Sequence, residues 1–204
     1  MIDLLAEAAR RPVSRETMSK LQQFSSLLLD ANARQNLISP SSVNELWTRH
    51  IMDGAQLAGL VTRSGTWCDV GSGAGLPGLV IAILTAEPMT LIEPRKLRAQ
   101  FLREMVGGLG LNQVRVAEAK VERVTGMFDF ITARAVAPLP KLFGMARHLA
   151  HTETEWILPK GRKAKTELDE AQATWQGSFR LVPSRTSEDS AIVIACNVRR
   201  RGNR

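Results

Sequence analysis

The sequence predicts an α/β fold in which a doubly wound, mostly parallel sheet carries a helical N-terminal extension. Three observations lead there. Strand-like and helix-like segments alternate from about residue 65 onward, a glycine cluster follows the first of those strands in "TWCDVGSGAGLPGLVIAIL" (66–84), and the residues before 65 show helical spacing only. With 204 residues, the chain can bury one such core plus a modest extension, but not two full-size domains. The division expected is an extension over 1–64, a core over 65–198 and a basic tail over 199–204.

Each element has a local reason. In "SRETMSKLQQFSSLLLDA" (14–31), Ser14 caps a helix that places Leu21, Phe24, Leu28 and Ala31 on one face, and 42–60 reads as a second helical stretch. The parallel strands are expected at 66–70, 89–93, 113–118, 128–134 and 155–159. Helices follow the glycines and occupy 95–110, a stretch beginning near 138–143, and 163–176. Two closing strands, near 178–184 and 190–198, form an antiparallel hairpin at one edge. In such a sheet, ligands gather beyond the carboxyl ends of the strands.

Charge and cysteine content narrow the partners and the compartment. A formal charge of +7 favours an anionic partner, such as nucleic acid or an acidic membrane surface. The opening "MIDLLAEAARRP" lacks a continuous apolar core and the run "LVIAIL" (79–84) is too short to span a bilayer, so the expected location is the cytoplasm. Cys68 and Cys196 are too few for a disulfide framework and are expected as buried free thiols.

Glycines at the end of a first strand let the backbone approach a ligand, with the amides of the next helix pointing into the site. Gly73, Gly75 and Gly78 satisfy the G-x-G-x-x-G spacing of a dinucleotide site, with Glu93 twenty positions after Gly73. Asp69, Gly71, Gly73 and Gly75 also satisfy D-x-G-x-G-x-G, which resembles motif I of the Rossmann-like class I S-adenosylmethionine-dependent methyltransferases. Charge favours the second reading. A carboxylate at Asp69 repels a pyrophosphate but attracts the ammonium and sulfonium of S-adenosylmethionine. Glu93 accepts ribose hydroxyls in either reading, or caps the helix that begins beside Pro94.

Absent motifs narrow the acceptor. The chain has no Tyr and no N/D-P-P-Y/F/W segment for exocyclic amino groups, and neither cysteine follows a proline as in a nucleophile loop for pyrimidine C5. A ring nitrogen such as guanine N7 is nucleophilic without deprotonation and calls for no general base. No metal site is expected.

The segments "NLIS" (36–39), "RHIMDG" (49–54), "DVGSGAGLPG" (69–78), "FLRE" (101–104), "TARAVAPL" (132–139) and "LPKGR" (158–162) together resemble the bacterial RsmG (GidB) family of 16S ribosomal RNA guanine-N7 methyltransferases, from about residue 20 to the last strand. The resemblance implies that Gly71 and Leu76 line the S-adenosylmethionine loop, that Val121 and Glu122 in "AKVERV" lie along the adenine, and that Arg134 ends the fourth strand beside the methyl-transfer centre. Arg134 stands out on its own as well, because an arginine ending an apolar strand must meet an anion, a carboxylate or a ligand. In "RHIMDG", helical spacing pairs Arg49 with Asp53 across one turn and turns His50 elsewhere. The sequence departs from the family's pattern at Gly54, where a serine is usual, and at Leu97, where a Lys-Arg pair is usual and only Arg98 remains.

The RNA-facing residues expected are Arg49 and His50, together with Lys160, Arg162, Lys163 and Lys165 in "PKGRKAK" (159–165). The closing "RRRGNR" (199–204) reads as a disordered basic tail. The activity implied is S-adenosylmethionine-dependent methylation of 16S ribosomal RNA, free or in the small subunit, by a monomer. Parts of the chain also fit an NAD(P)-dependent oxidoreductase, through Gly73, Gly75, Gly78 and Glu93, or a noncatalytic RNA-binding protein, through charge.

Overall fold

A computed structural model of the protein describes residues 1–202. The extension contains α1 (Ile2–Ala9), α2 (Arg15–Gln35), α3 (Pro40–Asn44), a π-helical turn (Leu46–Ile51) and α4 (Met52–Gly59). The core alternates β1 (Trp67–Val70), α5 (Gly78–Thr85), β2 (Met89–Ile92), α6 (Lys96–Gly108), β3 (Val114–Ala117), β4 (Phe128–Ala133), α7 (Leu139–Ala146), β5 (Ala150–Lys160), α8 (Ala164–Thr174), β6 (Trp175–Pro183) and β7 (Ala191–Arg200).

The seven strands lie in the order β3-β2-β1-β4-β5-β7-β6. Strands β1 to β5 run parallel, and β7 is antiparallel to both of its neighbours. The closing hairpin therefore exists, but its second strand is inserted between β5 and β6. Composition explains why: Ile192, Val193, Ile194 and Ala195 are consecutive buried residues that need cover on both faces. Strand β6 carries Gln176, Ser178 and Arg180, polar side chains suited to an edge. Residues Arg199 and Arg200, expected to begin a disordered tail, instead continue β7, with Arg200 opposite Trp175. The Arg201 guanidinium donates to the Gln172 carbonyl at 2.9 Å, and the remainder of the expected tail, 203–204, lies outside the described residues.

Alternation along the strands sends side chains into two cores. Trp67, Leu91, Phe130 and Ile157 face α2, α5 and α6, whereas Cys68, Val70, Ile131 and Trp156 face α7 and α8. The extension joins the first core through Leu5, Leu21, Phe24 and Leu28, all with 0% exposure. Each such burial stabilises the fold by roughly 2 kcal/mol. Ser14 caps α2 as expected, accepting from the Thr17 N–H at 3.0 Å. Helix α1 was not anticipated; its short Leu5, Ala8, Ala9 stripe packs on α4, where Gly59 leaves room for the Ala8 carbonyl. Of the two thiols expected to be buried, Cys68 is, while Cys196 is only half-buried beside the edge strand.

Candidate active site at the reversal of strand order

The order reverses between β1 and β4, which opens a crevice beyond their carboxyl ends. The glycine loop leaves β1 there, and Arg134 leaves β4. The loop is held from below, since the Gly71 and Ser72 N–H groups donate to the Ile92 carbonyl at 2.8 and 3.0 Å.

Its three alternate glycines adopt left-handed backbone, with φ of 71° at Gly71, 54° at Gly73 and 81° at Gly75. They differ in what surrounds them. A Cβ at Gly71 would stand 2.6 Å from Val136, and one at Gly75 would collide with Leu79. At Gly73 the nearest atom would be Arg98 Nη1, 3.7 Å away, so this glycine faces open space. Two of the glycines thus serve packing, and the middle one leaves a cradle.

Two buried carboxylates flank that cradle. Asp69 is 1% exposed; its Oδ2 accepts from the Gly78 N–H at 3.2 Å, while Oδ1 has no partner among the described residues. Burial pushes its carboxyl up to about 7, against the opposing pull of the Gly78 N–H and the Arg134 charge. Gly78 must be glycine, because a Cβ would sit 2.5 Å from Asp69 Oδ2. Glu93 braces the loop, accepting from the Gly73 N–H at 3.0 Å through Oε2 and from the Arg95 N–H at 2.9 Å through Oε1. Glu93 thus meets the start of α6, as the capping reading requires, and each of its carboxylate oxygens can accept once more. Leu76 is buried within the loop, and Val121 and Glu122 occupy a single 3₁₀ turn (Val121–Arg123) after β3, Val121 buried and Glu122 exposed.

Arg134 meets its anion inside the protein. Its guanidinium lies 3.5 Å from Asp53 Oδ2 and donates to His50 Nδ1 at 2.5 Å. The expected Arg49–Asp53 pair does not form. Arg49 instead bonds Glu45 at 3.0 Å, on the surface. The reason is the π-helical turn at Leu46–Ile51, whose wider winding breaks the 3.6-residue phase on which that pairing was based and delivers His50 and Asp53 together to Arg134. Asp53 is further held by the Gln56 amide at 3.0 Å and the Thr186 hydroxyl at 2.5 Å. Burial raises the Asp53 carboxyl above its ordinary range, opposed by the Thr186 hydrogen bond and the Arg134 charge. Burial, then the charges of Arg134 and Arg49, lower His50 from 6.5 to about 4, so the imidazole is neutral at pH 7.

Beside this cluster opens a cavity of about 660 Å³, bounded by His50, Arg134, Val136, Lys160 and Thr186. Val136 is a shared wall, since it is also the side chain against Gly71. A backbone cradle between carboxylates thus adjoins a chamber with cationic groups on its rim.

A family model described as "GidB: rRNA small subunit methyltransferase G" matches residues 17–189. A ribosomal RNA small subunit methyltransferase G from Rhizorhabdus wittichii is 45% identical over 195 residues, covering 93% of this chain and 90% of that protein. The chain belongs to this family. The methyltransferase G of Zymomonas mobilis is 42% identical over 196 residues, covering 91% of this chain and 88% of its own. Among solved structures, a SAM-dependent methyltransferase from Aquifex aeolicus superposes with a TM-score of 0.61 at 17% identity, covering 78% of this chain and 99% of that one. The ribosomal protein L11 methylase of Lactobacillus delbrueckii subsp. bulgaricus gives 0.57 at 17% identity, over 78% of this chain and 80% of its own. Those two likenesses establish the methyltransferase fold.

In this member of the GidB family, the basic segment after β5 is not uniformly free. Lys160 is only 10% exposed; it bonds Glu167 at 2.9 Å and the Ala137 carbonyl at 2.8 Å, and so ties β5 to α8. Arg162 is exposed and pairs with Asp189 at 2.7 Å, Lys165 pairs with Asp169 along α8, and Lys163 is exposed at the start of that helix. Gly54, in place of the usual serine, packs directly on Val80, where a Cβ would stand 2.5 Å from the side chain. Nothing local in the sequence signals the Gln56–Ser184 and Asp53–Thr186 hydrogen bonds, whose partners lie 128 and 133 positions apart. The Arg98 guanidinium reaches the space over Gly73; its presence where the family's neighbouring lysine is missing is the available clue in the sequence.

Proposed function

We propose that this chain transfers a methyl group from S-adenosylmethionine to N7 of a guanine in 16S ribosomal RNA of the small subunit. The observation that carries the reading is the open cradle at Gly73, set between buried Asp69 and Glu93 and sharing Val136 with the cationic cavity. The unpartnered Asp69 Oδ1 fits a cationic ligand group, and no pyrophosphate would settle beside it. This argues against the NAD(P) reading.

Bound S-adenosylmethionine supplies an electrophilic methyl on its sulfonium. Asp69 with Gly71, Gly73, Gly75 and Leu76 would hold the methionine end, Glu93 the ribose, and Val121 with Glu122 the adenine side. Arg134 would stand at the transfer centre. Guanine N7 already presents a lone pair, so the protein's task is alignment and exclusion of competing positions, and no side chain need remove a proton. The purine gains positive charge as the bond forms, which makes a bare cation beside it unfavourable. Asp53 answers that problem by neutralising Arg134, whose remaining N–H groups stay available to an RNA phosphate. Arg49 and the exposed Arg162, Lys163 and Lys165 would contribute sequence-independent phosphate contacts.

We read the working form as a cytoplasmic monomer, because one chain supplies both cradle and cavity. Among the described residues, no helix is long and apolar enough to cross a membrane. The reading is tested by incubating the protein with methyl-labelled S-adenosylmethionine and small subunits from cells lacking a GidB-family enzyme, then digesting the RNA. Label in 7-methylguanosine is expected. Label in another nucleoside would refute the N7 assignment, and absence of label with full NADH binding would restore the oxidoreductase.

A further inference from the structure

His50 is 8% exposed and lines the cavity, yet its Nε2 has no hydrogen-bond partner among the described residues. Its other ring nitrogen determines what Nε2 must be. Nδ1 lies 2.5 Å from Arg134 Nη1, and a guanidinium donates and never accepts. Nδ1 is therefore the acceptor, and the ring proton sits on Nε2. The result is a buried N–H donor, held in one tautomer and lacking a protein acceptor, in a side chain that lines the chamber beside the glycine loop. A buried unpaired donor is costly, and its persistence in a cavity-lining side chain points to an acceptor brought by the ligand.

We infer that His50 Nε2–H is a specificity-determining donor that reads the O6 carbonyl of the acceptor guanine, an inference that rests on the guanine-N7 reading above. Purine chemistry supports this choice. Guanine carries two acceptors side by side, N7 and O6, whereas adenine places an amino donor beside N7. A fixed donor next to the position occupied by N7 attracts the first purine and opposes the second. Arg134 thereby acquires a second task, which is to fix the imidazole tautomer, while Asp53 holds Arg134 in place.

Two near-isosteric variants separate the donor from mere packing. His50→Gln offers an oxygen to Arg134 and an N–H to the cavity; His50→Glu offers the same oxygen but no donor. His50→Phe removes both. Methyl transfer to small-subunit RNA is measured for each, alongside calorimetric S-adenosylmethionine binding and a thermal melt. His50→Gln is expected to keep activity within about ten-fold of the parent, and His50→Glu to lose about a hundred-fold or more, with cofactor affinity unchanged in both. If His50→Phe fails to fold, the Gln and Glu pair still decides. Equal activity in those two variants, or parental activity in His50→Phe, would overturn the inference. A parent that forms no 7-methylguanosine would instead refute the function reading on which it rests.

Discussion

Acid should weaken the protein through one identifiable side chain. His50 titrates near 6.5 when the chain is unfolded and near 4 when folded, because burial and the charges of Arg134 and Arg49 oppose its protonation while Glu45 only partly compensates. Between those values the unfolded chain binds a proton that the folded protein refuses, so stability present above about pH 6.5 is lost as pH falls toward 4. A shift of that size makes the loss between pH 7 and pH 4.5 about 2 kcal/mol. Asp69 acts in the opposite direction, since its folded value of about 7 lies above the unfolded one and its contribution is lost as pH rises through 7. Asp53, also raised, and Asp129, lowered, contribute as well, so the net profile of the parent mixes several effects and only comparison with His50→Gln isolates the histidine. Urea unfolding followed by tryptophan fluorescence at both pH values provides the comparison. The parent should lose about 2 kcal/mol more than the variant; equal losses would refute the assignment of a neutral, proton-refusing His50.

Gly73→Asp should fold with a cost of about 1 kcal/mol, because aspartate tolerates left-handed backbone and the position is open, yet calorimetry should detect no S-adenosylmethionine binding. Unchanged affinity would remove the cradle from the site. Cofactor affinity should also climb about ten-fold from pH 5.5 to 7 as Asp69 ionises toward its value of about 7, whereas a flat profile would place the cationic end of the cofactor elsewhere. Asp53→Asn strips Arg134 of its neutralising partner; about 3 kcal/mol of stability and more than ten-fold in methyl transfer should be lost, measured by urea titration and label incorporation. Replacing Arg162, Lys163 and Lys165 by alanine should lower RNA affinity and flatten its dependence on salt by about one slope unit per lost phosphate contact. Lys160→Ala should instead reduce thermal stability, since its ammonium is committed to Glu167 and the Ala137 carbonyl.

What the sequence made legible was local. The strand-like runs "TWCDV" and "FDFITAR", the Ser14 cap and the glycine spacing are each determined within a few residues, and the expected strands and most helices formed where they were read. The insertion of β7 between β5 and β6 depends on which of two closing strands has two faces to cover, a comparison that order along the chain does not make. The π-helical turn at Leu46–Ile51 defeated a 3.6-residue argument, and with it the pairing of Arg49 to Asp53. The network that holds Arg134 joins residues from α4, the β4 end and the loop after β6, so only the folded sheet brings Asp53 to Thr186. Lys160 shows the same limit: a basic run reads as solvated until Glu167 and the Ala137 carbonyl are seen to occupy one of its members.

The most direct test of the central claim is the nucleoside composition of 16S RNA from a bacterium whose own GidB-family enzyme has been deleted, with and without this chain expressed, read by mass spectrometry. The account predicts that 7-methylguanosine absent from the deletion strain returns with the chain and fails to return with its Gly73→Asp variant. Continued absence of 7-methylguanosine while the chain is present and folded, or its return with the variant as well, would contradict it.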